Sequence, residues 1–135
     1  MSDPAEAQIV RHQNPLMLPE STSVMQAARH MHTHNASAVL VTEGDANLIG
    51  IFTERDAISR VLAAGRDPLA TTLADVMTNN PETITPQHTA TEMLRLMKEA
   101  RVRHLPVVDG GKTIGIVVRN DFPELSPDGP PMRPI

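Results

Sequence analysis

Apolar side chains recur at helical spacing twice along the chain. Val24, Ala27, Ala28 and Met31 fall at i, i+3, i+4 and i+7, and Met93, Leu96, Met97 and Ala100 repeat the pattern. Each set draws one apolar stripe along a helix. A hydroxyl-x-x-amide/acid signal, Ser23-Val-Met-Gln26 and Thr89-Ala-Thr-Glu92, stands at each helix start, where the two side chains satisfy amides of the first turn. After each helix come two short aliphatic runs about a polar turn. Ala38–Val41 and Leu48–Phe52 flank Glu43-Gly44-Asp45, and Leu105–Val108 and Ile114–Val118 flank Asp109-Gly110-Gly111. These read as buried strands. A second helix is expected from Glu54 to Ala64, with Ala57, Ile58, Val61 and Leu62 as its buried face and Gly65 as its stop.

The elements therefore come in two copies. Asn14-Pro15 recurs as Asn80-Pro81, Ser23 as Thr89 and Met31 as Met97, 66 positions apart; Gly50-Ile51 recurs as Gly115-Ile116 and Asp56 as Asp121, 65 apart. The expected architecture is an α/β (α+β) chain of two β-α-β-β-α units, neither with enough apolar surface to stand alone. Residues 1–8 read as a flexible N-terminus, 9–68 as unit 1, 69–125 as unit 2 and 126–135 as a Pro-rich tail.

Composition narrows the function. A chain of 135 residues with 21 % charged and 40 % hydrophobic residues is expected to fold as a globular protein. A net charge of −4, with Phe52 and Phe122 as the only aromatics of the Phe, Trp and Tyr class, argues against nucleic acid as a partner. No apolar run reaches the ~18 residues of a membrane span, and no cysteine is present. The cytoplasm is the expected location. Nothing resembles a nucleophile elbow, a zincin helix or a phosphate loop, so no catalytic residue is assigned and the chain is expected not to be an enzyme. His30, His32 and His34 invite a metal reading, but with no nearby carboxylate they are read as solvated, and no metal site is assigned.

Gly50-Ile-Phe-Thr53-Glu-Arg55-Asp56 runs from a strand into a helix. Two readings apply. Thr53 and Asp56 form a helix cap, or they also serve a ligand: helix-start amides and a hydroxyl for phosphate, Arg55 for its charge, and Asp56 for sugar hydroxyls. His104 either lines a cleft or packs. Arg95, Lys98, Arg101 and Arg103 form a solvated helix face or a phosphate or partner contact.

Taken together, Asp75-Val76-Met77-Thr78 before Asn80-Pro81, then Val102-Arg103-His104-Leu105-Pro106-Val107-Val108-Asp109, then Gly115-Ile116-Val117-Val118-Arg119-Asn120-Asp121, resemble the cystathionine β-synthase (CBS) domain family in tandem. The resemblance covers roughly Val10 to Leu125. It implies two units packed about a pseudo-twofold axis, with two clefts that take AMP, ADP, ATP or S-adenosylmethionine. By that resemblance Asp56 and Asp121 hold ribose, Thr53 lies near phosphate, and Ala36-Ser37-Ala38 and Arg103-His104-Leu105, with Pro106, read the base. Val118 stands where the second copy should present a hydroxyl, and Arg119 and Asn120 are the residues able to compensate. The site centred on Asp56 is thus favoured. The resemblance further implies a homodimer and a regulatory role in trans on an unknown partner; a ligand-free dimerisation or adaptor protein is the alternative.

Overall fold

The computed structural model describes residues 4–120. Helix α1 (Val24–His34) starts where the Ser23 hydroxyl accepts from the Gln26 amide, and α4 (Ala90–Ala100) starts at a reciprocal box between Thr89 and Glu92. The stripes are narrower than their periodicity suggests. Val24, Ala27 and Met31, and likewise Ala90, Met93 and Met97, are buried, while Ala28 and Ala100 are exposed.

Between these helices and after α4 lie two antiparallel hairpins: β3 (Ala38–Glu43) with β4 (Asn47–Thr53), and β6 (His104–Asp109) with β7 (Lys112–Arg119). Each carries a bulge at an equivalent place, Val41/Thr42 and Val107/Val108.

The two copies exchange their lead-in strands. β1 (Ile9–His12) pairs with β7, while β5 (Thr78–Asn79), its counterpart, pairs with β4. A short α3 (Leu73–Val76) precedes β5, and a 3-10 turn over Pro4–Gln8 precedes β1. That turn, expected to belong to a flexible terminus, buries Ala5 in the second core. One four-stranded sheet, with β2 (Met17–Leu18) outermost, and one three-stranded sheet result. Their difference has a local cause. Leu40 donates its amide to Leu16 beside the parallel β2–β3 pair, whereas the equivalent Pro106 has no amide to give, and the second copy keeps only an isolated bridge between Ile84 and Val107.

Each unit has its own core, one around Phe52, Leu73 and the α1 stripe, the other around Ile84, Leu105 and the α4 stripe. A third cluster, with Leu40 and Ile51 from one sheet and Ile116 from the other, joins the two. At the far end the hairpin turns are tied by the Lys112–Asp45 ion pair and by the Thr113 amide donating to the Ala46 carbonyl.

The helix after β4 departs from expectation. Only Glu54–Asp56 (α2) is α-helical; Ala57–Leu62 is a π-helix, with the Ala63 amide reaching five residues back to Ile58. Val61 is buried and Ala57 packs against the first core, but Ile58 and Leu62, expected on the inner face, are 61 % and 65 % exposed. The expected closing helix of the second copy lies outside the described residues.

Candidate functional site

Thr53 is the last residue of β4 and the N-cap of α2. Asp56 folds back on it: one carboxylate oxygen accepts from the Thr53 amide (2.9 Å) and hydroxyl (3.1 Å), and the Thr53 oxygen accepts from the Asp56 amide (3.3 Å). The other carboxylate oxygen lies 3.5 Å from Nε of Arg60, whose guanidinium also donates to the Val76 carbonyl at 3.1 Å. A carboxylate has about four acceptor sites, so Asp56 keeps room for one further donor. The capping role is therefore real. Thr72 and Asp75 build the same box away from both clefts, with the Asp75 carboxyl held below its ordinary range chiefly by the Thr72 amide, so a box by itself does not make a site.

What distinguishes Asp56 is its surroundings. Its side chain is 15 % exposed and lines a cleft of about 910 Å³ between the two units. Thr53, Glu54 and Arg55 form one wall of that cleft, and Arg101, Arg103 and His104 face them from the α4–β6 connection. The repeated Asn80-Pro81 and Glu82 close the side. A second cleft of about 670 Å³ is built from equivalent positions: Asn14-Pro15, Asn35, Ala36, Ser37 and Ala38. Ser37, Glu54, His104 and Val118 line both.

His104 sits in the partition. Its Nε2 and the Ser37 hydroxyl share a hydrogen bond of 2.7 Å. Burial, with a smaller push from Arg103, lowers the imidazole pKa to about 4 against the opposing pull of Asp56. The ring is neutral at physiological pH. His104 thus both packs and lines a cleft.

The structure sorts the residues singled out in the sequence. Thr53, Arg55, Asp56, Arg103 and His104 come together in the first cleft. Ala36 and Ala38 face the second cleft, across from the other copy's strand end, whereas Arg103 and His104 line the cleft that holds Asp56. Leu105 and Pro106 are buried in β6 and line neither cleft. Arg119 and Asn120 line neither: the Arg119 amide donates to Arg103, and Asn120 donates to Gln8 and Ala7 through its amide and side chain. Asp121 lies outside the described residues. Of the cationic cluster, Arg101 and Arg103 line the first cleft and Arg95 and Lys98 do not. Asn80 and Glu82 were missed as site residues, and Arg101 entered only through the phosphate-contact reading of that cluster. The Asn-Pro repeat was the available signal, since a motif kept in both copies at a strand end points to a shared cavity. Among the described residues no cluster of three or more His, Asp or Glu is arranged to hold a metal, and His34 Nδ1 instead bonds the His30 carbonyl.

With this geometry in place, comparison with known proteins is decisive for the family. The CBS domain model matches residues 7–63 and again 73–125. The chain belongs to the CBS domain family. It is 39 % identical over 108 residues to the CBS domain-containing protein CBSCBSPB3 of Arabidopsis thaliana, a match covering 80 % of this chain and 19 % of the relative. The chain thus spans about a fifth of the length of that relative. Among solved structures, a CBS-domain protein of Burkholderia ambifaria superposes with a TM-score of 0.74 at 34 % identity, covering 79 % of this chain and 78 % of that one. The CBS domain pair of MJ0100, solved in complex with 5'-methylthioadenosine and S-adenosyl-L-methionine, gives 0.73 at 26 % identity, covering 80 % and 87 %.

Proposed function

We propose that this CBS pair is a non-enzymatic regulatory module that binds an adenine-type nucleotide (AMP, ADP, ATP or S-adenosylmethionine) in the Asp56 cleft. One observation carries the reading. A capped helix start with a hydroxyl, an arginine and a ribose-competent carboxylate faces Arg103 and His104 across a cavity of about 910 Å³, within the ~300–1,000 Å³ range of small-molecule sites. The adenosyl ligands of the MJ0100 pair support the ligand class. Because the walls belong to different copies, a ligand touching both changes how the units sit against each other. It shifts that equilibrium only by its difference in affinity for the two arrangements.

The output surface in this reading is a homodimer face that includes the exposed Ile58 and Leu62. The same face supports the second reading, an adaptor that dimerises with empty clefts. The cytoplasm is the proposed location; among the described residues no helix is long and apolar enough to cross a membrane.

Calorimetric titration with AMP, ATP, S-adenosylmethionine and NAD separates the two. Saturable binding of at least one, abolished in Asp56→Ala, is expected. Flat titrations with all four favour the adaptor, and turnover of any of them contradicts the non-enzymatic reading.

A further inference from the structure

Arg101 is held in a backbone conformation that arginine does not favour. It ends α4 with φ 57° and ψ 42°, in the left-handed region, and its amide caps the Lys98 and Met97 carbonyls. Glycine and asparagine take this position readily, because glycine has no Cβ and asparagine bonds locally. The equivalent cap of α1 is Asn35, with φ 52°, ψ 45° and the same pair of capping bonds, to His32 and Met31. The turn therefore asks for asparagine and has arginine in one copy only. A residue kept in an unfavourable conformation at the edge of a cavity points to a role in that cavity.

The duplication supplies a second, independent observation. Positions equivalent in the two copies have diverged in charge: Arg55 against Asn120, Arg101 against Asn35, and Arg103 against Ser37. All three arginines line the Asp56 cleft, and no arginine or lysine is among the described residues lining the other. Charge count alone would not decide the matter, since Glu54 and Glu82 also line the first cleft. The third carboxylate of the cleft, Asp56, already accepts from Thr53 and lies beside Arg60, which offsets most of its charge.

We propose that Arg101 is the specificity-determining residue of the Asp56 cleft, making it select phosphate-bearing nucleotides over nucleosides. A guanidinium offers two parallel N–H donors to phosphate oxygens, which a neutral ribose or base does not reward. The inference rests on the nucleotide reading of that cleft. The second cleft, with Asn35 at the position equivalent to Arg101 and no arginine or lysine among its described lining residues, lacks this preference.

The test is calorimetry of adenosine, AMP, ATP and inorganic tripolyphosphate with the wild-type chain, Arg101→Asn and Arg101→Lys, beside a thermal melt of each. The wild type is expected to bind ATP at least ~10-fold more tightly than adenosine, and Arg101→Asn to erase about tenfold of that preference while leaving adenosine within about twofold. Arg101→Asn should melt at the same temperature or higher, since asparagine suits the cap, and Arg101→Lys should recover part of the preference. Equal losses for adenosine and ATP, or an unchanged ATP-to-adenosine ratio, overturn the assignment and leave the nucleotide reading standing. Tripolyphosphate binding that depends on Arg101, without binding of any adenine compound, overturns the nucleotide reading and with it the selection of nucleotides, and leaves Arg101 a contact for free polyphosphate. Absence of all binding overturns both.

Discussion

Ser37 and His104, 67 positions apart, are joined by a 2.7 Å hydrogen bond that crosses from one repeat to the other. Ser37 is in turn tied to the Asp56 helix, because its carbonyl accepts from the Glu54 amide at 3.0 Å. The mirror contact would join Arg103 to Ala38, and alanine has no polar side-chain atom to complete it. The bond is therefore one-sided in an otherwise duplicated frame, and it stands in the wall shared by the clefts.

This largely buried imidazole makes stability depend on pH. With its folded pKa lowered from 6.5 to about 4, the unfolded chain binds the extra proton between those values. Its contribution is thus complete above pH 6.5 and declines as pH falls toward 4, by up to about 3 kcal/mol over the window. Urea melts at pH 7 and 4.5 should show this loss in the wild type and a smaller one in His104→Gln. Equal losses would show that His104 is not the titrating group.

Two matched caps separate folding from binding. Thr53→Ala and Thr72→Ala each remove a helix cap and should each cost about 1 kcal/mol in denaturant melts. Only Thr53 lines a cleft, so only Thr53→Ala should weaken nucleotide binding in calorimetry. Parallel losses of affinity in both variants would assign the effect to stability.

The repeated glycines have different neighbours. A Cβ on Gly115 would stand 2.8 Å from the His12 carbonyl oxygen, which belongs to the paired strand β1. On Gly50 it would meet first the Met77 side chain, which can turn aside, although the Thr78 carbonyl also lies 3.0 Å away. Gly115→Ala should lower the melting temperature more than Gly50→Ala, as calorimetric melts of the two will show.

Exposed Ile58 and Leu62 bear on assembly. Replacing both by Asp should shift the proposed homodimer toward monomer in light scattering while leaving far-ultraviolet dichroism unchanged, because neither side chain supports the core. An unchanged mass would place the dimer face elsewhere.

Most of the fold is legible in the sequence because its elements are written twice. The Asn-Pro repeat, the two caps and the Gly-Ile strands each confirm the other copy, and the recurrence of Asp56 as Asp121 at a strand-to-helix junction marks the cleft, although Thr53 has Val118 as its counterpart. The exchange of β1 and β5 is not legible. Ile9–His12 and Thr78–Asn79 are short, and nothing in their composition names the sheet that receives them. That exchange goes with Arg103 and His104 facing Asp56, while Ala36 and Ala38 face the opposite cleft. The π-helix escaped for a related reason: Ala57, Ile58, Val61 and Leu62 fit an α-helical stripe, and hydrogen bonding to the fifth residue leaves no periodic trace over six positions.

Crystal structures of the protein grown with saturating ATP, AMP and S-adenosylmethionine in turn test the central claim most directly. In at least one of them the ligand should occupy the cavity between Thr53 and Arg103, with a ribose hydroxyl donating to the Asp56 oxygen that faces Arg60. A ligand ordered only elsewhere on the molecule, or an empty Asp56 cleft in all three crystals, would contradict it.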